Sequence, residues 1–414
     1  MSVRGTDDVL VFHPGTQHSW QTALALQHLG RLRVYATSIF EKADAWPYRA
    51  VRYLPEGLAA KARSEFARFS HPAIDPDKVL TFGWHEWAER VARRAGLDGL
   101  AREIDRIGNA AFGRRVAKFA AGQGDFALWG YNGSSLCSFR AASGRKTIYD
   151  RTTPSLRKVN AAIDEIEERF PQWIAEPGQR YSQQRIDLED EEQALADVIV
   201  TGSEFARDSV IADDPALTGK LRVLPYCYDE ALFGQLPEVI GVGRDEPVRF
   251  LFVGGISARK GVHLLIEALA GLTDSAATLT LVGRMDLPEA AFAPFANRVT
   301  HIPAVPRSAI PAIMRQHHAF VFPSFYEGGG IALYEALASG LALIQTPNAS
   351  HAVDGGTGIM LDCLDVESVR DAMLRVVDDR DLLNGWREAA PKRAEAFTFT
   401  RYRDGIASLL DEVL

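Results

Sequence analysis

Cysteine is scarce. Cys137, Cys227 and Cys363 are the only three in 414 residues, far apart and in no C-x-x-C pair, which argues against a disulfide framework or a structural zinc site and points to a reducing compartment. Long apolar runs are missing too: no stretch reaches the roughly 20 uninterrupted apolar residues of a membrane-spanning helix. The first eight residues turn acidic before any apolar run, unlike a secretory signal, so a cytoplasmic location is expected. Nor is there an excess of positive charge; a formal net charge of -8 argues against duplex nucleic acid as a partner. No Gly-x-Ser-x-Gly elbow and no Walker loop occurs, so hydrolase and P-loop chemistry lack their signatures. Asp75-Pro76-Asp77 and Asp379-Arg380-Asp381 match an Asp-x-Asp metal signature, but neither follows a strand. His85-Glu86-Trp87-Ala88-Glu89 lacks the second histidine of a zinc helix. No metal ligand set is expected.

What is present reads as a globular α/β chain. Its length exceeds one ordinary core and suits two domains. Val9-Leu10-Val11-Phe12 is a short, wholly apolar run, as in a strand buried on both faces of a parallel sheet, and Ser19 can cap a helix through Leu29. Arg33 to Thr37, Phe126 to Gly130, Lys146 to Asp150 and Asp197 to Thr201 read as further strands. Helices follow soon after them except after Asp150, and Ser203 caps the helix that runs through about Ile211. Between about Leu54 and Ala121 lie helical stretches rich in arginine (Arg63, Arg68, Arg90, Arg93, Arg94, Arg102, Arg106, Arg114, Arg115) with Trp84, Trp87, Phe112 and Phe119 among them. Such a face suits an anionic membrane surface or a lipid-linked substrate. Glu86, Glu89, Glu103 and Asp105 break up the charge, so an ordinary solvated face is the simpler reading.

The expected division is an N-terminal domain, residues 1–230, carrying the helical insertion at about 54–121; a linker, 231–247; a C-terminal domain, 248–398; and a final helix, 399–414, crossing back to the first domain. In the second half, strands Arg249 to Val253, Thr278 to Val282, Val299 to Ile302 and Ala319 to Phe322 alternate with helices, the pattern of a second doubly wound sheet. The richest stretch is Phe325-Tyr326-Glu327-Gly328-Gly329-Gly330-Ile331, which runs into a helix carrying Glu335. Glycines let backbone approach a ligand, and the unpaired N–H groups at a helix start make an anion site. Upstream, Arg259-Lys260-Gly261 supplies cations suited to phosphate oxygens.

Glu327 and Glu335 in E-x7-E spacing, Arg259-Lys260-Gly261, Leu195 to Phe205, and Leu224-Pro225-Tyr226-Cys227-Tyr228-Asp229 together resemble the retaining family 4 glycosyltransferases of GT-B fold. The resemblance is close from Val248 to Leu414 and looser before. It implies two Rossmann-like domains facing across a cleft and transfer of a sugar from a nucleotide-diphosphate sugar to a hydroxyl acceptor, a glycan or lipid-linked glycan, with no cofactor required. It places Arg259 and Lys260 on the diphosphate together with the backbone of Gly328, Gly329, Gly330 and Ile331, Glu335 on the ribose, and Glu327 on the transferred sugar. Gly15, Gly255, Gly283 and Ile302 are expected to line the donor site, and His18, Tyr131, Asp150 and Arg151 the acceptor site.

Three departures from the family pattern stand out. Gly255 occupies the place of a second phosphate-binding arginine, and Pro14-Gly15-Thr16 replaces a Gly-Gly pair in the first loop. Asp150-Arg151 replaces a histidine near the sugar, so Asp150 is expected to take over its contact or to accept the acceptor's proton as a catalytic base. The alternatives are a GT-B epimerase or phosphorylase, and a nucleotide-sugar-binding or scaffold protein without turnover. Peripheral contact with the inner face of a membrane would run through the arginine-rich helices.

Overall fold

A computed structural model of the chain describes residues 8–414 apart from 16–17, 43–45, 47, 67–68, 70, 123 and 235–237. Thr16 and Arg68 lie outside the described residues, as do the side chains of Arg102, Asp105 and Arg106. Seven strands form the first sheet: β1 (Val9–His13), β2 (Leu32–Thr37), β3 (Val79–Thr81), β4 (Ala127–Tyr131), β5 (Thr147–Arg151), β6 (Val198–Thr201) and β7 (Leu221–Val223). They lie in the order β3-β2-β1-β4-β5-β6-β7, every pair parallel. The second sheet holds β8 (Val248–Val253), β9 (Ala277–Val282), β10 (Val299–Ile302), β11 (Ala319–Phe322), β12 (Ala342–Gln345) and β13 (Gly358–Met360), ordered β10-β9-β8-β11-β12-β13, again all parallel.

The wholly apolar run of β1 explains its central place, since Val9, Leu10, Val11 and Phe12 are all fully buried between helical layers. In each sheet the strand order reverses once, between β1 and β4 and between β8 and β11, and such switch points open a crevice at the carboxyl ends of the strands. Both crevices carry the residues discussed below.

The helix expected to be missing after Asp150 is there. Leu156–Arg169 is capped by Ser155, whose hydroxyl accepts from Lys158 N, and its buried positions Leu156, Val159, Ala162, Ile163 and Ile166 follow helical periodicity. Thr152-Thr153-Pro154 only delays its start. This helix and the turn after it reach the second domain: Phe170 packs on His263 with ring centroids 4.4 Å apart, and Trp173 donates to Glu267 at 2.6 Å. The last helix, Phe399–Val413, lies against the first domain, where the Tyr402 hydroxyl meets Thr22 at 2.8 Å. Among the described residues, no helix is long and apolar enough to cross a membrane.

The arginine-rich insertion forms helices Glu56–Phe66, Trp84–Arg94 and Asp98–Ala120. Within it Arg63 pairs with Glu56, Arg90 with Glu86 and Arg93 with Glu89, so part of the positive charge is neutralised on the spot.

Candidate active site

Two loops at the β8/β11 crossover bring the donor residues together. The loop after β8 makes a tight turn over Ala258–Lys260 and ends at Gly261, whose φ of 67° lies in the left-handed region. A Cβ there would stand 1.9 Å from the Pro323 carbonyl oxygen, so the glycine of Arg-Lys-Gly is what lets the β8 loop touch the β11 loop. A backbone bond from Phe325 N to Arg259 O, 3.0 Å, ties the loops together.

Across that seam Lys260 Nζ bonds Glu327 Oε1, Arg259 reaches the same oxygen at 3.3 Å, and the Ser324 hydroxyl donates to it at 2.6 Å. The Arg259 guanidinium also lies over the Tyr326 ring, 5.1 Å from its centre. Burial works to raise the Glu327 carboxyl, but the charges of Lys260 and Arg259 and the two short hydrogen bonds outweigh it, and the group sits below its ordinary value. Glu327 is therefore an ionised acceptor that keeps two cations parked where an anion can displace it. Beside Arg259 a cavity of about 670 Å³ opens between the domains, with Trp173, Ile174, Met285, Leu287 and Tyr326 in its lining.

The start of the Ile331–Ala338 helix faces the same place. The N–H groups of Gly329, Gly330, Ile331 and Ala332 find no acceptor among the described residues, which leaves an unfilled set of donors at the positive end of the helix. One turn in, Glu335 is 6% exposed. Burial pushes its carboxyl up to about 7 against the opposing charge of Arg307, with which it forms an ion pair. Arg307 was not singled out in the sequence. Its place in the loop after β10 was the only signal, and nothing local distinguishes it from other surface arginines.

The remaining donor positions fall as follows. Gly283 N bonds Ile302 O at 2.9 Å, joining the ends of β9 and β10. Gly255 is exposed, and the nearest atom to a Cβ there is Asp286 Oδ2 at 3.9 Å, which accepts from the exposed Arg284 at 3.1 Å. Gly15 N bonds the His13 ring at 3.0 Å, which commits that amide to its own loop.

Of the expected acceptor set, His18, Asp150 and Tyr131 are linked through Tyr226 into one cluster, and Arg151 is not part of it. His18 alone stays near the cleft: its ring stacks on Tyr226 at 4.1 Å, and burial, then His13 and Arg307, hold it neutral with a pKa of about 4. The other three lie deeper, fully buried. Strand β5 runs one residue past its expected end at Asp150, so Arg151 joins Asp150 in a strand buried on both faces. Asp150 is 1% exposed and accepts from Trp129 Nε1 at 3.2 Å and from the Tyr226 hydroxyl at 3.4 Å. That burial leaves its carboxyl little open surface and argues against the catalytic-base role. Arg151 is equally buried, bonded to Glu189 at 2.9 Å and to Pro154 O, and the cavity of about 310 Å³ beside it is lined by none of the donor residues. Tyr131 is spent on Thr22, 2.6 Å away.

Among the described residues no three His, Cys, Asp or Glu side chains form a group that could hold a metal ion. Residues 241–393 match the family model of glycosyl transferases group 1. The match takes in 153 of the 414 residues, all in the second domain and its approach. An α-D-kanosaminyltransferase of Streptomyces kanamyceticus is 30% identical over 200 residues, 44% of this chain and 50% of that protein. An O-antigen chain mannosyltransferase B of Escherichia coli is 26% identical over 220 residues, 49% of this chain and 56% of that protein. The chain thus spans about half the length of the curated relatives it matches. The structure of Anabaena HepE in complex with UDP and glucose superposes with a TM-score of 0.62 at 14% identity, over 99% of this chain and 100% of that one. That likeness establishes the fold, the GT-B arrangement of two Rossmann-like domains.

Proposed function

We propose that the chain is a retaining glycosyltransferase that moves a sugar from a nucleoside-diphosphate sugar to a hydroxyl of a glycan or lipid-linked glycan, in polysaccharide or glycoconjugate synthesis. One observation carries this reading: Arg259 and Lys260 converge on Glu327 in front of a helix start with four unfilled N–H donors, and Glu335 lies one turn further in. A diphosphate would take over the ammonium and guanidinium donors and fill the helix start. Ribose hydroxyls would bond Glu335, and Glu327, released from its cations, would accept from hydroxyls of the sugar.

In the reaction the bond from the anomeric carbon to the phosphate oxygen breaks, the acceptor oxygen bonds that carbon from the same face, and the acceptor's proton goes to the departing phosphate oxygen. The fixed cations and amide dipoles stabilise charge on the leaving group, and on this reading they do so without a metal ion. The test is product formation from a panel of labelled UDP-, GDP-, ADP- and dTDP-sugars with glycoside acceptors. The account expects transfer with the anomeric configuration kept; an inverted product refutes retention.

A second reading, a nucleotide-sugar-binding protein without turnover, is favoured by two observations: Gly255 carries no side chain where the family pattern has an arginine, and Asp150 is buried. Donor binding with neither transfer nor donor hydrolysis across the same panel supports it.

Peripheral membrane contact is proposed through the insertion. Residues 54–121 carry 12 Lys and Arg against 9 Asp and Glu in a chain of net charge -8, and Leu58 and Trp84 are 57% and 62% exposed there. Co-sedimentation with phosphatidylglycerol vesicles that falls with salt supports it, and no binding at low salt refutes it.

A further inference from the structure

Arg307, in the loop after β10, and Glu335, on the Ile331–Ala338 helix, form an ion pair whose two sides differ. The glutamate side chain is 7% exposed and the arginine side chain 57% exposed. Only one carboxylate oxygen, Oε1, is engaged by the guanidinium, while Oε2 accepts no hydrogen bond from any described residue. A buried carboxylate with one free oxygen, one solvent-facing cation and no other donor is an unfinished hydrogen-bond site, since an ionised carboxylate accepts on both oxygens.

We propose that Arg307 is a positioning residue for nucleotide binding: it grips Oε1 of Glu335, fixing the carboxylate's orientation and its charge, and so presents Oε2 to the ribose hydroxyls. This rests on the glycosyltransferase reading above, which places ribose at Glu335, and adds the residue that makes that glutamate competent.

The surroundings supply no substitute. The other charged group acting on Glu335 is Asp229, just before the Glu230–Phe233 turn of helix, and its negative charge works against ionisation. On the far side of the crevice His18 is neutral, held so by burial and by the charges of His13 and Arg307. Glu335 already sits near 7 because burial outweighs the help Arg307 gives. Without Arg307 the carboxyl rises further, so at neutral pH the protonated acid, with one oxygen turned into a donor, displaces the acceptor that ribose needs.

The consequence is a pH-dependent defect. If loss of the cation lifts the carboxyl by about one unit, the ionised fraction at pH 7 falls from about one half to about one tenth, a loss of about fivefold in affinity that disappears by pH 9. Comparing variant with wild type at each pH cancels the titration of phosphate and of Lys260.

The experiment is calorimetric titration of UDP, GDP and ADP, and of their 2′,3′-dideoxy forms, into wild type, Arg307→Met and Arg307→Lys between pH 6.5 and 9. The expected result is that Arg307→Met weakens the nucleotide that wild type binds by about fivefold at pH 7, recovers towards wild type at pH 9 and leaves the dideoxy form unchanged, while Arg307→Lys restores most of the loss. Unchanged affinity in Arg307→Met, a loss independent of pH, or an equal loss on the dideoxy form overturns the role of Arg307 and leaves the glycosyltransferase reading standing. Wild type that binds none of the three nucleotides overturns both.

Discussion

Gly328 is the point where the donor loop meets the opposite domain, and Gly328→Ala is the sharpest perturbation of that contact. A Cβ at this position would lie 1.7 Å from the Thr152 carbonyl oxygen, 2.5 Å from its carbon and 3.0 Å from Thr153 Cα. All three are backbone atoms in the turn just after β5, so no side-chain rotation relieves the clash. The loop holding Glu327 or the Thr152 turn must move by an amount on the order of 1.5 Å, and misplacing a reacting group by about 1 Å costs on the order of 10²-fold in rate. Overpacking of this kind costs about 1–3 kcal/mol in stability. Gly355→Ala is the control, because nothing lies within 4 Å of a Cβ there. Donor turnover at saturating acceptor and urea unfolding, measured on both variants, separate the effects. The reasoning requires Gly328→Ala to lose turnover on the order of 10²-fold while Gly355→Ala stays at wild type. Turnover within about twofold of wild type for Gly328→Ala would refute it.

Two further predictions concern charge. Lys260→Met removes the cation best placed for phosphate, and charge-assisted bonds worth about 1.5–3 kcal/mol correspond to a Kd for the nucleoside diphosphate about 10- to 100-fold weaker by calorimetry; an unchanged Kd places the diphosphate elsewhere. Asp150→Asn tests whether that group is structural. Burial raises the Asp150 carboxyl from 3.8 to about 7, so the stability held by its protonated form is full below about pH 4 and is lost as pH rises through 7. The amide has no such loss, so the variant should gain about 1–3 kcal/mol on wild type between pH 5 and pH 8, with turnover unchanged. A constant stability difference across that range, or a collapse in turnover with folding intact, contradicts this placement.

The parallel sheets were legible because apolar runs such as Val9 to Phe12 and Ala319 to Phe322 are buried on both faces, and that pattern is written in consecutive residues. The Arg259-Lys260-Gly261 turn and the Glu327 loop were legible for a similar reason, since each is a local motif whose glycines answer to local backbone demands. What could not be read depended on where a strand ends. One residue of extra β5 puts Arg151 in the interior beside Asp150, and no residue type marks that boundary, because buried partners such as Glu189 and Tyr226 lie 38 and 76 positions away. Arg307 escaped notice on the same principle. Its partner is 28 residues downstream on a different element, and neither residue alone signals the pair.

The central claim is that the crevice between Lys260, Arg259 and the Ile331–Ala338 helix start holds a nucleoside diphosphate. Thermal unfolding of the full chain in the presence of UDP, GDP, ADP and dTDP and their sugar derivatives tests it most directly. At 100 times its dissociation constant a ligand stabilises the folded state by about 2.7 kcal/mol. The account predicts that at least one of these nucleotides raises the melting temperature of wild type and raises that of Lys260→Met less; a melting temperature that none of them moves contradicts it.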